Sequence, residues 1–159
     1  MWTEAFLEYL TLERNYSLRT VEEYRDDLNA FESYYKKVDS TLSWETMDGD
    51  VVRDWMVSMM EAGRTATTVN RRLSALRTFY RYLLRRDWIK VDPVRNIQGP
   101  KKKKPLPVFL KESEMNRLLD GDFFGNDFLG KRDKLIVNTF YVTGIRLSEL
   151  TSLNNQDVD

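Results

Sequence analysis

One stretch of the chain carries arginine and hydroxyl side chains at a spacing suited to binding phosphate. At about 100° per residue in a helix, one face of it would present Thr67, Arg71, Ser74, Thr78, Arg81 and Arg85. A guanidinium donates planar, paired hydrogen bonds to phosphate oxygens and guanine edges, and short hydroxyls also bond to phosphate. The pattern predicts nucleic-acid binding. A merely solvated face is the alternative, but such faces normally mix charges, and no acidic residue lies between Glu61 and Asp87.

This face lies in a band that holds nearly all the positive surplus of a neutral chain. Residues 64–104 contain 13 Lys or Arg and 2 Asp or Glu, a balance of +11. Residues 1–63 contain 6 basic and 14 acidic residues, and residues 105–159 contain 6 and 9, so these flanks carry −8 and −3. The asymmetry indicates an acidic partner. Nucleic acid is the favoured partner, and an acidic protein bound to a helical interaction bundle is the other class.

The two ends of the band add further candidate contacts with DNA. Arg64 begins it, and four consecutive lysines close it: Lys101, Lys102, Lys103 and Lys104. Adjacent lysines repel one another, but opposite a phosphate backbone the same charges are attractive and release counterions. A linker that is only solubilising is the alternative for the lysines.

Helical periodicity identifies the elements that must position these side chains. Val69, Leu73, Leu76, Tyr80 and Leu83 recur every three or four residues, which predicts a helix with one buried stripe. Three helices are predicted before it: over residues 3–14, after Ser17 as an N-cap, and from Asp48 or Asp50 to about Glu61. The aromatic residues of the second helix keep helical spacing and are predicted to be core. Four helices with short connections indicate a compact bundle.

The proline distribution divides the chain. All four prolines fall within residues 93–107, which predicts an extended linker. A second domain is predicted to open near Phe109 with a helix that includes Met115. Residues 131–143 are predicted to form a buried helix that Gly144 ends. We therefore expect an all-α protein with residues 1–98 and 106–159 as its domains and 99–105 as the linker.

Composition excludes several kinds of site and location. Without cysteine or histidine, the chain can have no disulfide, thiolate metal site, histidine-ligated metal or histidine general base. It also lacks an apolar run near 18 residues and the start of a signal peptide. We therefore expect a cytoplasmic protein without a membrane partner, and no metal site.

Several motifs in order resemble the tyrosine recombinases, especially Xer-type recombinases and phage or transposon integrases. The segment 141–150 reads YVTGIRLSEL and is similar to the family's first catalytic motif, in which a Thr-Gly turn precedes an arginine and then Ser-Glu-Leu. Residues 17–31, 72–80 and 92–101 resemble the family's SAM-like core-binding domain, and 106–114 resembles the entry to its catalytic domain. The resemblance spans nearly the whole chain.

The resemblance implies DNA strand exchange, in which a tyrosine attacks the scissile phosphate and no metal or nucleotide cofactor is consumed. Arg146 matches the first of two arginines that stabilise charge on the phosphate, and Glu149, one turn later, is placed to support it. The core-binding resemblance adds Ser17, Arg19 and Thr20 as candidate DNA contacts. Double-stranded DNA and, in the intact protein, other recombinase protomers are the implied partners; alone, the chain is expected to be monomeric without DNA.

The chain departs from the family pattern after Arg146. The family's catalytic lysine, its His-x-x-Arg motif, a further His or Trp and the nucleophilic tyrosine have no counterpart here. We therefore expect residues 106–159 to be a truncated N-terminal part of the catalytic domain, and the 159-residue chain to be inactive alone. A non-enzymatic helical DNA-binding regulator or accessory factor is the alternative.

Overall fold

The structure, a computed structural model, describes residues 1–102, 106 and 108–157. Within these residues it contains seven helices and no strand, as the sequence predicts. No helix in the described part of the chain has both the length and the apolar character required to cross a bilayer. Two compact units are present, Met1–Lys104 and Pro105–Asp159, here called the N-terminal and C-terminal units. The helices are α1 (Trp2–Leu12), α2 (Leu18–Val38), α3 (Gly49–Glu61), α4 (Ala66–Arg85), α5 (Glu112–Asp120), α6 (Phe128–Thr143) and α7 (Leu147–Thr151).

Short polar side chains begin the helices of the N-terminal unit. The Ser17 side chain accepts from the backbone N–H of Thr20 at 3.3 Å, and Thr65 accepts from Thr68 N–H at 3.2 Å. Asp48 caps α3 in the same way. Each cap satisfies a backbone donor that the first helical turn leaves without a partner. The predicted N-cap Ser17 is thus confirmed, and of the two predicted candidates for α3, Asp48 and Asp50, the structure has Asp48 as the cap.

The N-terminal unit packs as a four-helix bundle around the apolar stripe of α4. Val69, Leu73, Leu76, Tyr80 and Leu83 are all fully buried, which confirms the predicted phase of this helix. The helix contacts α1, α2 and α3. Aromatic rings fill much of the core; Phe79 and Trp44 lie 4.8 Å apart between ring centroids. Among the aromatic residues of α2, Phe31 and Tyr35 are buried in the core as predicted, and Tyr24 is partly buried against it.

Replacing a residue of this stripe should destabilise the fold far more than replacing Arg81 on the exposed side of α4. Leu73→Ala removes a fully buried side chain and should lower the free energy of unfolding by about 2–5 kcal/mol. Arg81→Ala should change it by less than about 0.5 kcal/mol, because Arg81 is exposed. Urea denaturation of both variants measures the difference. A larger loss in the arginine variant would contradict the helix phase.

The C-terminal unit comprises α5, α6 and α7, and it corrects one expectation. Residues 131–143 do form a helix that ends at Gly144, which has a left-handed φ of 64°. The helix is not buried, however: Leu135 and Val142 are 65% and 72% exposed, and among the described residues of this unit only Met115 is buried. The apolar residues of this helix could be buried only if another part of the protein packed against them. The sequence of the helix alone does not show whether such a surface is present.

The segment after α4 packs back onto the N-terminal unit. Ile89, Val94 and Ile97 are buried, and Arg77 donates to the Ile97 carbonyl. Asn70 Nδ2 donates to the Pro100 carbonyl at 2.8 Å. The first residues of the predicted 99–105 linker are therefore tied to α4, although the boundaries of the linker stay a prediction.

Trypsin should cut the chain first within residues 101–104. Lys101 and Lys102 are exposed, whereas the arginines of α4 lie in a packed helix whose backbone resists local opening. Limited digestion followed by mass spectrometry should yield two fragments that meet at these lysines. Early cleavage inside 66–85 would argue against the division.

Candidate nucleic-acid interface

The face of α4 opposite its core stripe is accessible as predicted. Arg71, Ser74, Arg81 and Arg85 are exposed, as is Thr67, and Thr78 is half-buried. The opposite side of α4 is buried in the core. The backbone positions of these six residues are therefore fixed relative to one another. The arginines on this face differ in whether a carboxylate already neutralises their charge.

Arg71 is not a free surface cation. Its two terminal nitrogens donate to both carboxylate oxygens of Asp27 on α2, at 2.6 and 2.9 Å. Asp27 is buried, with 2% of its surface exposed, whereas the Arg71 side chain is 48% exposed. Burial raises the pKa of Asp27 above its ordinary value, while Arg71 and then Arg72 oppose the rise. The paired arginine therefore also holds α2 to α4.

Arg72 is a second arginine beside Asp27, and it lies closer to the core than Arg71. Its Nε lies 3.5 Å from an Asp27 oxygen, and its guanidinium lies 6.0 Å from the centre of the Trp55 ring. Its side chain is only 23% exposed. Arg72 therefore mainly stabilises the fold. The exposed part of the Arg71 guanidinium can still contact a ligand.

Arg71→Ala should destabilise the N-terminal unit, contrary to the expectation for an exposed arginine. The substitution leaves a buried carboxylate with one cation at 3.5 Å, and an unsatisfied buried group costs about 1–3 kcal/mol. Thermal melts of Arg71→Ala and Arg85→Ala compare an arginine paired with Asp27 with one that forms no ion pair with the described residues, on the same face. Equal melting temperatures would show that the Asp27 pair adds nothing to stability.

Two cavities flank the arginine face. The first lies between α2 and α4 and includes Thr20, Glu23, Asp27, Arg71 and Ser74, so its arginine is balanced by carboxylates. The second, of about 150 Å³, lies between α1 and α4 and includes Thr78, Arg81 and Arg85. Periodicity placed the α4 residues together, but it could not assign them to separate cavities.

Arg14 and Tyr16 also line the second cavity, and sequence reasoning missed both. They lie in the turn between α1 and α2, where Asn15 has a left-handed φ of 50°. Arg14 was counted in the acidic first part of the chain, and its association with α4 depends on the tertiary fold. The available signal was the break between the helix predicted over residues 3–14 and the next N-cap at Ser17, which places Arg14 and Tyr16 at a helix junction.

The start of α2 brings Ser17 and Thr20 close together. Their hydroxyl oxygens lie 2.9 Å apart, and Ser17 is used as the helix cap. Arg19 projects into solvent, with 90% of its side chain exposed and Glu23 at 3.9 Å. Thr20 lies in the cavity of Arg71, so the structure joins this predicted site to one part of the α4 face.

The remaining basic candidates are on the ends of the band. Arg64, Lys101 and Lys102 are exposed. Lys103 and Lys104, which were predicted as DNA contacts, lie outside the described residues. The structure thus locates three of these five cations on accessible surface.

In the C-terminal unit, Arg146 and Glu149 form the predicted close pair. The Glu149 carboxylate accepts from the Arg146 backbone N–H and from its guanidinium, both at 2.8 Å. These two bonds, the backbone one first, hold the pKa of Glu149 below its ordinary value. Arg146 is 81% exposed at the start of α7, where a cation opposes the helix dipole. Glu149 compensates that charge and orients a guanidinium that remains open on its outer side.

The chain is similar to several known proteins. Residues 3–87 match the family described as phage integrase, N-terminal SAM-like domain. Tyrosine recombinase XerC of Halalkalibacterium halodurans is 37% identical over 158 residues, covering 99% of this chain and 52% of that protein. Tyrosine recombinase XerD of Oceanobacillus iheyensis is 33% identical, covering 98% and 52%. The chain therefore spans about half the length of these relatives.

A solved structure shares the fold. The Tn1549 transposon integrase, determined in complex with circular intermediate DNA, has a TM-score of 0.72 over 99% of this chain and 50% of that one, at 18% identity. At that identity the likeness concerns the fold, which confirms the all-α, SAM-like architecture expected from the sequence.

Proposed function

Because the chain belongs to the family of phage integrase N-terminal SAM-like domains, we propose that its N-terminal unit binds duplex DNA as part of a site-specific tyrosine recombinase. The observation that carries the proposal is the exposed side of α4, with arginines and hydroxyls on a rigid helix and the opposite side fully buried. Contacts of this kind to phosphates position a protein on a duplex.

Charge supports duplex DNA over an acidic protein partner. The band over residues 64–104 has a balance of +11, and phosphates along one duplex present a regular line of negative charge. Ser17, Thr20 and Arg71 could contact the backbone beside the first cavity, and Arg81 and Arg85 beside the second. Sequence preference would require additional contacts to base edges.

The C-terminal unit would supply part of the strand-exchange chemistry in the intact protein. Arg146 would donate to the non-bridging oxygens of the scissile phosphate while charge develops there, and Glu149 would hold its guanidinium in place. The intact recombinase would add the nucleophile and other cations, and further protomers would assemble on the DNA in the cytoplasm. The 159-residue chain alone should therefore bind DNA without cleaving it.

Fluorescence anisotropy with a labelled duplex tests the DNA-binding proposal. The full chain should bind saturably at about 50 mM salt. The same duplex carrying a nick tests cleavage, because a covalent adduct would be retained on a denaturing gel. Absence of binding at low salt would refute the proposed function, and an adduct formed by this chain alone would refute its predicted inactivity.

A further inference from the structure

The cavity between α1 and α4 gathers positive charge from two separate parts of the chain. Arg81 and Arg85 come from α4, and Arg14 comes from the turn after α1. Among the described residues that line this cavity none is acidic. The nearest carboxylate in sequence, Glu13, is paired with Arg86 at 2.8 Å. Three guanidiniums therefore share one small polar space without a carboxylate in it.

Arg14 is held at this cavity by its surroundings. Its backbone N–H donates to the Tyr9 carbonyl at 3.1 Å, and Tyr16 N–H donates to the Leu10 carbonyl at 3.0 Å. Its guanidinium lies 5.9 Å from the centre of the Tyr16 ring, within the range of a cation–π interaction. The turn thus fixes the backbone of Arg14 and favours one direction of its side chain.

The helix ends beside the cavity do not balance this charge. The C-termini of α1 and α4 each contribute about −0.5 elementary charge, or roughly −1 together, against three positive side chains. About two positive charges therefore remain, more than the single negative charge of one phosphodiester group. The cavity of about 150 Å³ is also below the ~300–1,000 Å³ of typical small-molecule sites, so it suits a single small anionic group.

From this arrangement we infer that Arg14, Arg81 and Arg85 form a binding site for one backbone phosphate of nucleic acid. The inference rests on the proposed DNA binding and adds Arg14, an arginine outside the basic band. The α2–α4 cavity contrasts with it, because Glu23 and Asp27 already balance Arg71 there. The stronger phosphate contact should therefore lie on the C-terminal half of α4.

The test compares Arg14→Ala with Arg53→Ala, which removes the same charge from α3, where Arg53 pairs with Asp50. Duplex affinity is measured by anisotropy in the full chain as salt is varied. Arg14→Ala should lower affinity about tenfold, the scale of one lost charge-assisted hydrogen bond, and reduce the salt slope by about 1. Arg53→Ala should change affinity less than about twofold. A separate NMR titration of the wild-type chain with inorganic phosphate should shift the Arg14 and Arg81 Nε–H signals saturably.

These measurements can distinguish failure of the proposed phosphate site from failure of the proposed DNA-binding function. If the wild type binds duplex but the two variants behave alike, the phosphate site is overturned and the proposed function stands. If phosphate shifts the arginine signals but duplex does not bind, the cavity binds phosphate and the proposed function fails, which overturns its assignment to nucleic acid. If neither ligand binds, both are overturned.

Discussion

The affinity of the chain for duplex DNA is expected to fall by about 10³–10⁵-fold when salt rises from about 50 to about 200 mM. That loss corresponds to about 6–10 phosphate contacts, each of which releases condensed counterions on binding. The exposed cations available for them include Arg14, Arg64, Arg81, Arg85, Lys101 and Lys102. Arg71 should contribute less, because Asp27 already accepts from both of its terminal nitrogens.

Anisotropy titrations at four or five salt concentrations measure this slope. The Arg53→Ala variant is the matched control, since it removes a cation from α3 and should leave the slope unchanged. Tight binding that does not respond to salt would mean that phosphate contacts do not dominate the interaction with the duplex.

Arg146→Ala, made in an intact recombinase that carries this chain, is expected to reduce covalent adduct formation by about 10²–10³-fold, the scale of one lost transition-state donor. Duplex affinity should remain nearly intact, because Arg146 belongs to the C-terminal unit and the proposed binding surface to the N-terminal one. Arg146→Lys should restore only part of the rate, since lysine keeps the charge and loses the planar fork.

The assay is a nicked suicide duplex scored for protein–DNA adduct on a denaturing gel. Arg132→Ala is the control: Arg132 is another arginine of the C-terminal unit, with half of its side chain exposed, and it likewise pairs with a carboxylate, Asp133, at 2.7 Å. Wild-type adduct rates in Arg146→Ala would exclude a catalytic role, and equal losses in both variants would indicate a structural effect.

Much of the N-terminal unit could be predicted because its determinants are local. The burial of Leu73 and Leu76 follows from a 3.6-residue period, and the start of α2 follows from the capping chemistry of Ser17. These features depend on residues within a turn or two of one another. The Arg146–Glu149 pair was predictable for the same reason, since residues three apart on a helix are neighbours.

The features that could not be predicted depend on tertiary neighbours. Asp27 and Arg71 are 44 residues apart in sequence, and the helical pattern of α4 gave no indication that a buried carboxylate would face one of its exposed arginines. Arg14 likewise reaches the α4 cavity only because α1 packs beside α4. The exposed side of a helix can thus be predicted from its own sequence, but the charge that remains free on it cannot.

The most direct test of the DNA-binding surface is NMR chemical-shift mapping of the full chain with a short duplex. We expect the largest amide shifts on residues 14–20 and 78–85, around the cavity of Arg14, Arg81 and Arg85, and smaller shifts around Arg71. Shifts confined to α3 or to the C-terminal unit would contradict it.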